Sequence, residues 1–156
     1  MAIVSTNTFY TTDLLYDNIH NLLSTYPFLQ SDVIGYSVLG NPIPYIRIGR
    51  GPNQVFYSAS IHANESINTN VLLKFIEDFC IAYTNNSQIY GYSARSIYNR
   101  TSIYIVPMCN PDGVNLVNRL LSCSEVDHIF KHRILLMIIH FYAFLRIGRQ
   151  ILMVWI

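Results

Sequence analysis

The stretch that most constrains the fold runs from Gln54 to Glu65 and reads Q-V-F-Y-S-A-S-I-H-A-N-E. Its first part, Val55 to Ile61, combines β-branched, aromatic and small residues, which is typical of a strand buried on both faces in a parallel sheet. A helical pattern follows Glu65, so the stretch predicts a strand that leads into a helix. In α/β proteins, ligands bind at the carboxyl end of such a strand.

His62 and Glu65 stand at that strand end, separated by two small residues, Ala63 and Asn64. An imidazole and a carboxylate three positions apart can turn toward one point and share a Zn²⁺ ion. The pattern H-x-x-E is short, however, and also occurs in ordinary polar loops. From these residues alone, a metal site and an incidental pair are both open.

The rest of the chain predicts helices and strands around this stretch. Leu15, Ile19, Leu22 and Tyr26 form one face of a helix that has Thr12 as its N-cap and ends at Pro27, with His20 on the solvated side. Further predicted elements are strands over Val33–Leu39 and Pro42–Ile48, a helix over Asn68–Tyr83 that buries Cys80, a polar surface loop with room for one turn of helix over Asn85–Arg100, and a buried strand over Ser102–Val106.

The last predicted strand leads into Asn110-Pro111-Asp112-Gly113. Asn, Pro, Asp and Gly in this order are strong turn formers, because Pro presets φ and Gly supplies a positive φ. Strand, helix and strand form a βαβ unit, whose two strands are parallel. We therefore expect residues 110–113 to lie near His62 and Glu65 on one rim of the sheet.

Composition sets the limits of function. The chain has 156 residues, of which 51% are hydrophobic and 12% charged, so it suits one folded domain. The net charge of +1 gives no reason to expect nucleic-acid binding. Three widely spaced cysteines, Cys80, Cys109 and Cys123, and a start without a secretory signal predict a reducing, cytoplasmic location. The longest apolar run, Ile134–Leu145, is 12 residues long, too short for a transmembrane segment.

Several stretches in collinear order resemble the zinc carboxypeptidase (carboxypeptidase A-like) family. They are I-G-Y-S-V-L-G-N-P-I at 34–43, H-A-N-E at 62–65, L-L-K-F-I-E-D-F at 72–79 and I-V-P-M-C-N-P-D-G-V at 105–114. Within that family, the chain looks most like the γ-D-glutamyl-diaminopimelate endopeptidases, which cut bacterial peptidoglycan peptides. The resemblance covers roughly residues 10–118.

The resemblance implies an α/β fold, here an incomplete mixed sheet flanked by helices, and a zinc-dependent metallopeptidase acting on a peptidoglycan-derived peptide. His62 and Glu65 match the first two zinc ligands of the family, and Asn110 and Asp112 match its turn beside the substrate cleft. The family places a third ligand His, a carboxylate-binding Arg and a general-base Glu further along the chain. The zinc would lower the pKa of a bound water, and the base would take its proton.

The C-terminal tail departs from the family pattern, and we expect residues 1–122 to form the recognisable domain and 123–156 a foreign segment. Residues 1–127 hold six Lys and Arg against nine Asp and Glu, whereas 128–156 hold four basic residues and no acid. Residues 148–156 can be encoded as GGA AGG CAA ATA TTA ATG GTG TGG ATT, followed by TAA. If the codon of Ile147 ends in T and the reading frame begins at that T, the same bases encode W-K-A-N-I-N-G-V-D-L. This resembles the segment that follows N-P-D-G in the family.

We therefore predict that the tail results from a frame change between about residues 118 and 133. The nucleotide sequence of the gene decides this, since codons that forbid the alternate reading would exclude it. An out-of-frame tail would mean that His128, His132 and His140 are not family ligands. There are two alternatives for the metal site: a tail histidine as the third zinc ligand, or a Cys₂His₂ site that includes Cys109 and Cys123. There are also two alternatives for the function: a non-catalytic fragment, or a membrane- or partner-binding module built on the basic apolar tail.

Overall fold

The computed structural model describes residues 2–118, 120, 122, 124–126 and 128. The predictions for Cys123, His132, His140 and the rest of the tail therefore lie outside the described residues. The elements in chain order are α1 (Thr12–Thr25), β1 (Gln30–Tyr36), β2 (Pro42–Ile48), β3 (Asn53–Ser58), α2 (Ile67–Thr84), β4 (Gln88–Ile89), β5 (Tyr92–Ser93), α3 (Ala94–Arg100), β6 (Thr101–Val106) and α4 (Pro111–Val117).

The main sheet is mixed, as predicted. Its four described strands lie in the order β1-β2-β6-β3; β2 is antiparallel to both β1 and β6, and β3 is parallel to β6. The parallel pair β3 and β6 is connected through α2, so the predicted βαβ unit is confirmed. This connection brings the carboxyl ends of β3 and β6 to the same edge of the sheet.

The predicted helix faces form the core. Leu15, Ile19 and Leu22 of α1 are buried, as are Leu72, Ile76 and Phe79 of α2, and they pack in one cluster with the inward side chains of β2 and β6. Each such side chain contributes roughly 1.5–3 kcal/mol when fully buried. The N-cap of α1 is Thr11 rather than Thr12, since the Thr11 side chain accepts a hydrogen bond from the Leu14 N–H. No described helix is both long and apolar enough to cross a bilayer.

Strand β3 differs from its prediction in length and environment. It ends at Ser58, three residues before the end of the predicted strand, and the Phe56 side chain is 41% exposed. Among the described strands, β3 has a neighbour on one side only, and an outer strand has fewer side chains around it. Strand β6 lies inside the described sheet, and β1 and β3 are its two outer strands.

The predicted loop over Asn85–Arg100 contains a hairpin and a short helix. Strands β4 and β5 pair through Tyr90 and Gly91, which have φ values of +50° and +84°. A two-residue hairpin turn with two positive φ angles favours Asn-Gly, so Tyr-Gly gave no sequence signal. The Ser93 hydroxyl then accepts a hydrogen bond from the Ser96 N–H and begins α3.

A buried carboxylate attaches the beginning of the chain to α2. The Ile3 N–H donates to Glu77 Oε1, and Lys74 Nζ lies 3.0 Å from Glu77 Oε2. Burial by itself raises the pKa of the Glu77 carboxyl, but the hydrogen bonds from Ile3, Lys74 and Val4 outweigh it, and the pKa is lowered. Residues 3 and 4 are thus fastened to the second helix.

Candidate metal centre

His62 and Glu65 occupy a tight turn between β3 and α2. The Glu65 N–H donates to the His62 carbonyl at 3.2 Å, which closes the turn and places both side chains on the same side. His62 Nδ1 lies 3.1 Å from Glu65 Oε1, with the two side chains 61% and 43% exposed. The sequence indicated that this imidazole and this carboxylate can turn toward one point, and here they contact each other directly. That they share a metal ion stays a prediction.

Ser60 fixes the backbone below this turn. It is buried and has φ = +50°, a conformation that costs an L-residue energy and that marks many functional sites. Its hydroxyl donates to the Glu65 carbonyl and contacts the Thr69 hydroxyl, which donates to the carbonyl of Pro107. Nothing in the sequence pattern indicated this conformation, because serine rarely adopts a positive φ.

The two donors suit zinc in type and spacing. Zinc binds imidazole nitrogen and carboxylate oxygen at about 2.0–2.2 Å, so two tetrahedral ligands stand about 3.3 Å apart. The observed separation of 3.1 Å between Nδ1 and Oε1 is close to that value. Among the described residues, however, no group of three or more His, Cys, Asp or Glu side chains could hold a metal ion. A catalytic zinc site uses three protein ligands, so His62 and Glu65 by themselves would not complete one.

Asn110 connects the end of β6 to the turn before His62. Its N–H donates to the Ser60 carbonyl at 3.1 Å, and its side-chain amide donates to the Ile61 carbonyl at 3.2 Å. The two strand ends therefore lie close together, as the βαβ pattern predicted. The predicted turn at 110–113 is instead the start of α4, where Asn110 Oδ1 accepts from the Gly113 N–H and Pro111 follows the cap. The same residue types favour turns and helix starts, which explains the difference.

Asp112 holds the β1–β2 loop. It is buried, with 5% exposure, and accepts hydrogen bonds from the Ser37 hydroxyl, the Leu39 N–H and the Asn41 side-chain amide. No sequence pattern indicated these contacts, because 75 positions separate Ser37 from Asp112 and 71 positions separate Asn41 from it. The part that Asp112 has in a substrate cleft stays a prediction.

The remaining candidate residues lie apart from this site or outside the described residues. His20 is exposed on α1, as predicted, and His128 is exposed. Cys80 is buried in α2, and burial raises the pKa of its thiol to about 12, which suits a packing residue. Burial also raises the pKa of the Cys109 thiol, against the opposing effect of hydrogen bonds from Ser58 and Ala59.

The sequence profile of the zinc carboxypeptidase family matches residues 15–131, which is more than half of the chain. The chain therefore belongs to the zinc carboxypeptidase family. It is 47% identical over 108 residues to gamma-D-glutamyl-L-diamino acid endopeptidase 1 of Lysinibacillus sphaericus, an alignment that covers 69% of this chain and 27% of that protein. It is 42% identical over 110 residues to the uncharacterised protein YqgT of Bacillus subtilis, covering 69% of this chain and 28% of the relative.

Solved structures show the same fold. Bovine thrombin-activatable fibrinolysis inhibitor superposes with a TM-score of 0.60 at 21% identity, over 72% of this chain and 34% of that chain. Carboxypeptidase A from Helicoverpa armigera gives a TM-score of 0.57 at 20% identity, over 74% and 29%. The chain thus spans about a third or less of the proteins that it matches, and its described part corresponds to a portion of their domain.

Proposed function

We propose that this chain carries the first half of a metallopeptidase centre that hydrolyses γ-D-glutamyl–diaminopimelate bonds in peptidoglycan peptides. The 3.1 Å approach of His62 Nδ1 to Glu65 Oε1, at the strand end where α/β proteins bind ligands, is the observation that carries the proposal. The relative whose name states γ-D-glutamyl-L-diamino acid endopeptidase activity supports the choice of substrate bond.

His62 would give zinc an imidazole nitrogen, and Glu65 would give it a carboxylate oxygen. When bound, zinc lowers the pKa of a coordinated water and polarises a scissile carbonyl. Ser60 and Asn110 hold the backbone on which both ligands stand, through their bonds to residues 61 and 65. The proposed contribution of Asn110 and Asp112 to the substrate cleft is of this kind: they fix the loops around the site.

Two protein ligands hold zinc less firmly than three. We therefore expect the 156-residue chain to bind zinc below one equivalent at micromolar concentrations and to leave a γ-D-glutamyl–diaminopimelate peptide uncleaved. Hydrolysis of the peptide by this chain, abolished by His62→Ala, would show that the centre is complete and would contradict this expectation.

The zinc site itself is tested by titration with a competing chromophoric chelator. His62→Ala and Glu65→Ala are each expected to weaken zinc binding at least about tenfold, since each removes one of two donors. His20→Ala is the matched control, because His20 is an exposed histidine on α1, outside the site, and this variant should bind zinc as the parent does. Equal weakening by all three variants, or by none, would contradict a zinc site at His62 and Glu65.

A further inference from the structure

A cavity lies at the end of the sheet opposite to His62. It has a volume of about 360 Å³ and is bounded by the β4–β5 hairpin, one face of α3 and the amino ends of β3 and β6. The side chains that matter for its chemistry are Asn53, Tyr92, Ser96, Ile97, Arg100 and Thr101. This volume falls within the usual range of small-molecule sites.

Arg100 brings an unused positive charge to this cavity. The guanidinium groups of Arg47, Arg50 and Arg95 each stack over a tyrosine ring, and the first two also donate hydrogen bonds. Among the residues that the structure describes, Arg100 is the arginine whose guanidinium has neither an ion pair nor a hydrogen bond nor a ring beneath it. An arginine fork binds a carboxylate through two parallel hydrogen bonds.

The hairpin beside the cavity keeps aromatic side chains in solvent. Tyr92 lines the cavity and is 70% exposed, and Tyr90 at the hairpin tip is 78% exposed. Tyr90 also has φ = +50°, which is unfavourable for a bulky L-residue. Of these two rings, that of Tyr92 borders the cavity and is open to a ligand there.

The lining selects the class of ligand. Asn53, Ser96 and Thr101 offer amide and hydroxyl groups, and Tyr92 offers an aromatic surface against which the C–H face of a sugar ring can pack. Ile97 adds one aliphatic side chain to this lining. We propose that this cavity binds a saccharide that carries a carboxylate group, with Arg100 on the carboxylate and Tyr92 beside the ring.

Two sugars that differ in a carboxylate-bearing group test whether the carboxylate of the ligand contributes to binding. N-acetylmuramic acid carries one, and N-acetylglucosamine is the same amino sugar without it; this choice of probe rests on the proposed function. In an NMR titration of the full chain with a metal chelator present, we expect N-acetylmuramic acid to bind at least tenfold more tightly and to shift the amide signals of residues 91–101. Because the measurement excludes zinc, its outcome is independent of peptidase activity.

Variants of α3 assign the binding to the cavity. Arg100→Gln should weaken binding of N-acetylmuramic acid at least tenfold, and Arg100→Lys, which keeps the charge but loses the fork, should fall between Gln and the parent. Arg95→Gln is the matched control, since Arg95 is an exposed arginine of the same helix that stacks on Tyr83 and does not line the cavity. Equal binding of the two sugars, equal losses in Arg95→Gln and Arg100→Gln, or preference for an acidic peptide over N-acetylmuramic acid would overturn the proposal.

Discussion

Replacement of Gly51 by alanine is expected to lower the free energy of unfolding by more than about 3 kcal/mol. A Cβ atom on Gly51 would lie 1.9 Å from the Arg100 carbonyl carbon and 2.1 Å from the Thr101 backbone nitrogen. Both neighbours are backbone atoms at the junction of α3 and β6, so no side chain can rotate away. The two chain segments would have to separate, and hydrogen bonds between them would be lost.

Those hydrogen bonds show why separation is costly. The Gly51 N–H donates to the Thr101 carbonyl, the Arg50 N–H donates to the Tyr98 carbonyl, and the Ser102 hydroxyl donates to the Gly51 carbonyl. Gly35→Ala is the matched control, because nothing lies within 4 Å of the Cβ position of Gly35 in β1. Urea denaturation of the two variants should give a large loss for Gly51→Ala and a change within about 0.5 kcal/mol for Gly35→Ala. Similar midpoints for both would contradict the packing described here.

Asp112→Ala is expected to cost about 3 kcal/mol. The carboxylate of Asp112 accepts hydrogen bonds at 2.7, 3.0 and 2.8 Å from Ser37, Leu39 and Asn41. Alanine would leave these three donors without their acceptor, in a place where Asp112 itself is buried. The loop between β1 and β2 would lose its attachment to α4.

Two further variants separate the loss of these bonds from the loss of a charge. Asp112→Asn keeps one acceptor oxygen but directs an amide toward another donor, so we expect an intermediate loss of stability. Asp17→Ala removes an exposed carboxylate from α1 and should change the free energy of unfolding by less than about 0.5 kcal/mol. Urea denaturation measures all three, and an Asp112→Ala protein as stable as Asp17→Ala would show that the three bonds add little.

The elements that sequence predicted well are those whose pattern is local. The faces of α1 and α2 follow from apolar side chains at helical spacing, and the two ends of the β3–α2–β6 unit meet because parallel strands end at one edge. The position of β3 at the outside of the described sheet was not predictable, since it depends on which strands pair with it. The start of α4 was missed because Asn, Pro, Asp and Gly serve turns and helix starts equally well.

At the candidate site, too, only the local pattern could be predicted from the sequence. The spacing of His62 and Glu65 sufficed to place one imidazole beside one carboxylate. The conformation of Ser60, which precedes them, was not predictable. Its positive φ and its contact with Thr69 arise from packing between the loop, α2 and Pro107. Cavity residues near Arg100 were missed since a hairpin and a helix bring them together from a segment that resembled a loop.

The attachment of Ile3 and Val4 to Glu77 has a practical consequence for producing the protein. An affinity tag joined directly to Met1 would begin within two residues of the Ile3 N–H, which donates a hydrogen bond to the buried carboxylate of Glu77 in α2. Protease trimming of the first few residues would leave that carboxylate with Lys74 as its remaining described partner. We expect a long, polar spacer between the tag and Met1 to preserve this contact and with it the position of α2.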